Sequence, residues 1–190
     1  MSSFLSIANP NAARRLFLGR SGLVLSGTAV ALLSGRDALA AKSGGARAGD
    51  VRILNTALGA ELEAIAAYQV GAESGLLQKP VLDLAVQFQG HHKAHADLLA
   101  NTVQKLGGKP VSAKDKYGFP VEQLKNQADV LRFAAKLEQG AVSAYLGAVP
   151  LFGNRELSKA AASILGDEAM HWAILRNALG ENPVPDAFVA

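Results

Sequence analysis

The sequence predicts an all-α fold, a four-helix bundle built from two copies of one helical hairpin. The first reason is a repeat: Glu61 and Tyr68 are matched 77 residues later (61 to 138) by Glu138 and Tyr145. The second is that apolar residues recur at helical spacing in four segments, with no alternating pattern typical of strands. A repeat of helical hairpins is most simply packed as a single bundle with the repeated polar residues facing inwards.

A second motif repeats with almost the same offset. The segment Gly-x-x-x-x-His occurs at Gly90 to His95 and again at Gly166 to His171, 76 residues later (95 to 171). Each histidine is followed by an apolar pair and an asparagine. Because both copies carry metal-ligand residue types, the repeat indicates a pseudo-symmetric metal site inside the bundle.

The first 40 residues have the pattern of an export signal. Arg14 and Arg15 precede an apolar run over 21–34, and Ala38-Leu39-Ala40 offers small residues for cleavage. Residues 1–40 therefore resemble a twin-arginine signal, which predicts a periplasmic mature domain of residues 41–190. The alternative is an uncleaved membrane anchor, but the run is shorter than the roughly 20 residues that span a bilayer. After cleavage we expect no stable membrane insertion.

Charge and cysteine content exclude several function classes. The 40-residue signal holds four arginines and one aspartate, so the mature domain keeps 19 − 4 = 15 basic and 16 − 1 = 15 acidic residues. A net charge of zero gives no support for nucleic-acid binding. The chain has no cysteine, which excludes disulfides, thiolate ligands and iron–sulfur clusters.

Helix boundaries follow from capping residues. The first helix is predicted from Asp50, as N-cap, through a stripe that contains Glu61 and Tyr68, with Glu63 about 200° away and facing solvent. The second is predicted from Pro80, in its first turn, to the glycines at 107–108.

The second hairpin is predicted in the same way. Its first helix begins near Asp129 and ends before Pro150, and its second runs from Asn154, as N-cap, to Gly180. The connections within the hairpins are short, whereas the segment 107–128 between helices two and three has roughly twenty residues. A segment of that length is expected to cross over along the bundle.

Six residues of metal-ligand type are expected to converge between the helices. They are Glu61, His92, His95, Glu138, Glu168 and His171. Burying an unpaired carboxylate costs several kcal/mol, a penalty that two bound divalent cations would offset. The alternative for any single one of these residues is a hydrogen-bonded core side chain or a surface charge, but six at repeated spacing favour metal.

These motifs resemble the ferritin-like di-iron carboxylate superfamily, particularly its bacterioferritin and rubrerythrin branches. The resemblance covers essentially the whole mature chain and implies a ferritin-like bundle with two iron or manganese ions. It implies that Glu61 and Glu138 are terminal ligands, that Glu168 bridges the metals, and that His95 and His171 each hold one metal. It also implies oxidation of ferrous iron or reduction of oxygen or peroxide.

One position departs from the family pattern. His92 stands where the family has a second bridging glutamate. If His92 coordinates, the site has three carboxylates and three imidazoles and becomes more tolerant of zinc or copper. If it does not, the metal held by Glu61 and His95 lacks a bridge. His91 is rotated by about 100° from His92, so we expect it to be solvated or to lie outside the ligands.

Tyr68 and Tyr145 each lie two turns from a predicted ligand on the same helix face. Each could donate a hydrogen bond to a ligand carboxylate and supply an electron during oxygen or peroxide reduction. The alternative is that they are core aromatic residues.

Three function classes remain open at this stage. The first is a periplasmic di-metal oxidoreductase that protects against stress, the second a protein that sequesters or buffers metal without turnover, and the third a structural bundle with a degenerate site. We expect a monomer or homodimer, because the ten residues after Gly180 contain two prolines and leave no room for the fifth helix of cage-forming relatives.

Overall fold

The computed structural model describes residues 42–189. Four α-helices form the bundle: α1 Lys42–Glu73, α2 Lys79–Lys105, α3 Gln127–Ala148 and α4 Arg155–Ala178. Two short 3-10 turns, Val121–Gln123 and Val149–Leu151, complete the secondary structure, and residues 42–189 contain no strand. The predicted all-α class is confirmed. The predicted signal at 1–40 lies outside the described residues.

Helix α1 begins earlier than the sequence predicted. It starts at Lys42, so Asp50 is an interior helical residue and the N-cap prediction was wrong. Asp50 is buried, and its Oδ1 accepts a hydrogen bond of 2.8 Å from the backbone N–H of Gly153. The carboxylate therefore fixes the α3–α4 connection to the first hairpin.

The other helix boundaries follow the capping residues closely. Pro80 lies in the first turn of α2, and Asn154 caps α4 by accepting a 2.9 Å hydrogen bond from the N–H of Glu156. Gly180, with φ of +75°, follows the end of α4 in the left-handed conformation that favours glycine. Helix α3 begins slightly before its predicted start, because Asn126 accepts a 3.0 Å hydrogen bond from the N–H of Asp129.

The segment between α2 and α3 runs along the bundle as a single crossover. In the first half of α1, Asn55 donates to the carbonyl of Lys109 at 3.0 Å and accepts from the N–H of Val111 at 2.9 Å. At the opposite end, Gln127 accepts a 2.8 Å hydrogen bond from the N–H of Gln78. The starts of α2 and α3 are thus adjacent, which makes these two helices parallel, as the predicted crossover requires.

The interior consists of two apolar clusters. One contains Leu58 of α1 and Ile164 of α4, and the other contains Phe88 of α2 and Leu131 of α3. On each helix the predicted metal-ligand residue lies in sequence between members of the two clusters. The bundle therefore has a polar layer across its middle, closed above and below by apolar side chains.

The crossover covers a residue that was expected to face solvent. Glu63 is only partly exposed, because it lies beside Phe119 and Pro120 of the crossover and Phe133 of α3 in one cavity lining. Burial raises the pKa of Glu63, and the positive charge of Lys114 opposes that rise. The prediction for Glu63 was wrong since it used the rotation of one helix and ignored the crossover.

Across the described residues 42–189, no helix is long and apolar enough to cross a membrane.

Candidate metal centre

The structure brings the six predicted ligand residues together in the polar layer. Five of them are buried: Glu61, His92, Glu138, Glu168 and His171. The side chain of the sixth, His95, is 14% exposed. Each helix contributes at least one of these residues, so the layer depends on packing of both hairpins.

The donor atoms form two overlapping groups. In one group the residues are Glu61, His92, His95 and Glu168, and in the other they are His92, Glu138, Glu168 and His171. Within each group, one donor atom per residue lies within 4.8 Å of the others. Because His92 and Glu168 belong to both, the two groups could hold a pair of ions with two shared ligand residues.

His92 lies between a carboxylate of its own hairpin and a carboxylate of the other. Its Nδ1 lies 2.8 Å from Glu61 Oε2, and its Nε2 lies 3.2 Å from Glu138 Oε1. In the repeat, the counterpart of His92 is Glu168, whose two oxygens face His95 Nδ1 at 3.1 Å and His171 Nδ1 at 3.3 Å. His92 therefore occupies the central position that the repeat assigns to a bridging residue.

The two tyrosines contact carboxylates of the opposite hairpin. Tyr145 donates to Glu61 Oε1 at 2.6 Å, and Tyr68 donates to Glu138 Oε1. Burial and the neighbouring carboxylates raise the pKa of both tyrosines well above the ordinary value, so each hydroxyl keeps its proton at neutral pH. Each tyrosine thus orients one terminal carboxylate.

Three buried side-chain atoms of the kind that bind metals make no hydrogen bond within the described part of the chain. They are His95 Nδ1, Glu138 Oε2 and Glu168 Oε1. His95 Nδ1 and Glu168 Oε1 lie 3.1 Å apart without the geometry of a hydrogen bond. Since unsatisfied buried polar atoms are costly, this pair of adjacent atoms, together with the unpaired oxygen of Glu138, fits a site that binds cations. Imidazole and carboxylate are also ligands that iron, manganese and zinc accept.

Without metal, the cluster is stabilised by protonated histidines. Burial opposes protonation of His92, but hydrogen bonds that its ring donates to Glu138 and Glu61 outweigh burial and raise its pKa to about 11. Burial is likewise outweighed at His95, beside Glu168 and Glu61, and at His171, beside Glu138 and Glu168, where each pKa rises to about 9. Imidazolium groups therefore take the place of metal cations as partners of the buried carboxylates.

Glu138 responds in the opposite direction. Its complete burial would raise its pKa, but hydrogen bonds with His171 and His92 lower the pKa well below the ordinary value. The carboxylate is consequently ionised at neutral pH, which is the state that a metal ligand requires.

Asp167 was missed by the sequence reasoning. Its Oδ2 lies 3.3 Å from His95 Nε2 and 3.4 Å from His171 Nε2, on the side of each ring that faces away from Glu168. The repeat contained the signal for this residue, since 91 + 76 = 167 makes Asp167 the counterpart of His91. A carboxylate that accepts from the outer nitrogen of an imidazole orients its inner nitrogen towards a metal.

His91 was expected either to be solvated or to lie outside the ligands of the centre, and it is only partly solvated. Its side chain is 38% exposed, but its Nδ1 lies 2.9 Å from His171 Nε2 and 3.2 Å from Asp167 Oδ2. The alternative that places His91 outside the ligands agrees with this position.

An apolar cleft between α1 and α3 reaches the centre from the opposite side. Its volume is about 50 Å³, and at its inner end lie Glu61, His92, Glu138 and Tyr145. Six alanines line its walls: Ala57, Ala60, Ala64, Ala141, Ala144 and Ala148. Such small apolar side chains leave space for a small uncharged molecule.

Comparison with known proteins agrees with this architecture. No protein with a curated description matches the chain. The crystal structure of a conserved hypothetical protein from Mycobacterium tuberculosis is similar, with a TM-score of 0.65 and 23% sequence identity over 74% of this chain and 97% of that one. At this identity the likeness concerns the fold. The family of ferritin-like domains matches residues 49–181, more than half of the chain, and this protein therefore belongs to that family.

Proposed function

We propose that this protein binds two redox-active metal ions, in the first instance iron, and couples oxidation of ferrous iron to reduction of oxygen or peroxide. The observation that carries the proposal is a set of three buried side-chain atoms that make no hydrogen bond with any residue of 42–189: His95 Nδ1, Glu138 Oε2 and Glu168 Oε1. They belong to the two overlapping groups that share His92 and Glu168. A metal pair bound there would supply a site of one-electron transfer next to a second metal.

The residues of the chain have distinct roles in this proposal. Glu61 and Glu138 hold one ion each, Glu168 serves both, and His95 and His171 complete the two sets. Tyr145 and Tyr68 keep the terminal carboxylates oriented through hydrogen bonds across the hairpins. Their buried hydroxyls also lie close enough to the carboxylates to supply an electron and a proton to a reaction at the centre.

The alanine-lined cleft favours dioxygen as the oxidant. Its walls are mostly apolar, with Thr56 and Glu63 as the polar exceptions, and it ends at Glu61, Glu138 and Tyr145. The transfer of a small apolar molecule from water into such a cleft is favourable, whereas a charged or strongly hydrated molecule must lose its water ligands to enter. The cleft thus supports a route for oxygen that differs from any route for metal ions.

We further propose that the protein acts in the periplasm in protection against oxidative stress. The support is the twin-arginine pattern at Arg14 and Arg15. Because this pathway exports folded proteins, the centre would acquire its metal before export, when the cytoplasm controls which ion is available.

A second candidate function is metal sequestration without turnover. It is favoured by His92, which replaces a bridging carboxylate and contacts both Glu61 and Glu138. An imidazole there leaves a loaded centre with one negative charge fewer than the family pattern, and this stabilises divalent ions relative to trivalent ones.

Metal content and oxidation kinetics distinguish these functions. Protein purified after export should contain about two metal ions per chain by elemental analysis. Ferrous iron added to it with oxygen or peroxide should be oxidised with many turnovers if the first function is correct. Binding of about two ions without turnover would support sequestration, and absence of bound metal after reconstitution would refute both.

A further inference from the structure

The polar layer opens to solvent on the side of α2 and α4. Side-chain exposure falls in steps from 38% at His91 and 23% at Asp167 to 14% at His95 and 2% at His171. All four residues carry metal-binding groups. These side chains form a graded series from the surface to the buried centre, with the ring of Phe88 stacked on His171 at 4.0 Å beside them.

Asp167 lies at the middle of these groups. Its Oδ2 is 3.2 Å from His91 Nδ1, 3.3 Å from His95 Nε2 and 3.4 Å from His171 Nε2. Donor atoms of His91, Asp167 and His171 also lie within 4.8 Å of one another. Two or three imidazole nitrogens and one carboxylate oxygen are a suitable ligand set for a divalent transition metal ion.

Two of the histidines around Asp167, His95 and His171, also belong to the centre. His95 and His171 direct Nδ1 towards Glu168 and Nε2 towards Asp167. A neutral imidazole has one nitrogen with a free lone pair, so it binds a cation on one side at a time. An ion held by the group around Asp167 therefore competes for imidazole with an ion in the centre, which suits brief occupancy better than permanent occupancy.

We propose that His91, Asp167 and His171 form an outer loading site, which takes a divalent cation such as ferrous iron from solvent and passes it to the centre. His171 would hold the cation through Nε2 in the loading site and through Nδ1 in the centre, and its single ring proton would then lie on Nδ1 in the first case and on Nε2, beside Asp167, in the second. The opposite cleft is less suited to this purpose because its lining is mostly apolar, with six alanines, and a hydrated cation loses water on entering it. This inference rests on the centre proposed above.

The loading site is tested by the rate of cobalt(II) uptake. Metal-free protein is mixed with cobalt(II) in a stopped-flow spectrometer, and the absorbance of bound cobalt is followed for the natural protein and for His91→Ala. We expect His91→Ala to slow uptake by at least about tenfold, the lower end of what a focused path contributes to an association rate. His91→Asp introduces the residue type found at the counterpart position, Asp167, and because aspartate also binds cations it should restore most of the uptake rate.

Two controls make the result specific. Asp97→Asn removes an exposed carboxylate from the same helix outside the group, and it should change uptake by less than about twofold. His91→Gln provides a second non-coordinating variant if His91→Ala does not fold. Equal uptake rates in the natural protein and in either folded variant would overturn the loading site. If the natural protein bound no cobalt, the proposed centre itself would be refuted.

Discussion

Tyr145 on the second hairpin donates a 2.6 Å hydrogen bond to Glu61 on the first, and Tyr68 on the first donates to Glu138 on the second. Each hairpin therefore holds the terminal carboxylate of the other. The sequence predicted that these tyrosines orient carboxylates, but the partner of each lies across the bundle and not two turns away on its own helix.

Because each tyrosine donates to a buried carboxylate, removing one hydroxyl should destabilise the folded protein. In metal-free protein, Tyr145→Phe leaves a buried oxygen of Glu61 without its donor, which should lower the free energy of unfolding by about 1–3 kcal/mol. Urea denaturation measures the change. Tyr117→Phe serves as a control: its hydroxyl accepts from the N–H of Lys114 in an exposed segment, where water can replace it, so the loss should be less than about 1 kcal/mol. An equally small effect at Tyr145 would mean that the residue acts only through packing.

Glu168 should be the most important single ligand. Its side chain is fully buried and belongs to both donor groups. We expect Glu168→Ala to reduce the metal content from about two ions per chain to less than one, as determined by elemental analysis, because a residue that serves both ions affects both sites. Glu156→Ala, on an exposed turn of the same helix, should retain full metal content. Full retention in Glu168→Ala would exclude a bridging role.

Replacing His92 with glutamate should have opposite effects on the metal-free and the metal-loaded protein. In metal-free protein the change removes the cation between Glu61 and Glu138 and adds a carboxylate, which should destabilise the fold by about 3–5 kcal/mol. In loaded protein the added bridge should raise iron affinity and the rate of iron oxidation. Thermal unfolding with and without iron, together with oxidation kinetics, tests both effects. Slower iron oxidation in His92→Glu would indicate that His92 supports a chemistry of its own.

The stability of metal-free protein should depend on pH above neutrality. The pKa of His95 and that of His171 rise from an unfolded value of about 6.5 to about 9 in the fold. Because the folded pKa is the higher one, the stabilisation from these protons is complete below pH 6.5 and is lost as pH rises through about 9. Thermal melts in the presence of chelator should therefore show a lower melting temperature at pH 9.5 than at pH 7. A flat profile would contradict protonation of the metal-free cluster.

A larger side chain in the alanine-lined cleft should slow the oxidation of iron by oxygen without reducing the metal content. Ala141→Leu narrows a cleft of about 50 Å³ that reaches the centre. We expect oxygen-dependent oxidation of ferrous iron to slow several-fold, while metal content stays near two ions per chain. Ala162→Leu, at an exposed position of α4, provides the matched control. Unchanged kinetics in Ala141→Leu would place the oxygen route elsewhere.

The repeat predicted the helix pairing and the six residues of the polar layer, because a fixed offset carries three-dimensional information directly. Properties that depend on contacts between distant segments were not accessible from it. Asp50 was assigned to a helix start because nothing local marks its bond to Gly153, and Glu63 was assigned to solvent because the path of the crossover is not encoded in helical periodicity. Asp167 lay within the repeat but was overlooked, since its partner at position 91 is a different residue type.

Because the crossover joins the two hairpins in one chain, the two halves of the metal centre can change independently during evolution. In a bundle assembled from two identical hairpins, one substitution would appear at both equivalent positions and alter both halves of the metal site. Here the two hairpins belong to one chain, joined between Lys105 and Gln127, so position 92 holds histidine while its counterpart at 168 keeps glutamate. The linkage thus allows the two metal positions to acquire different affinities and different tasks, one mutation at a time.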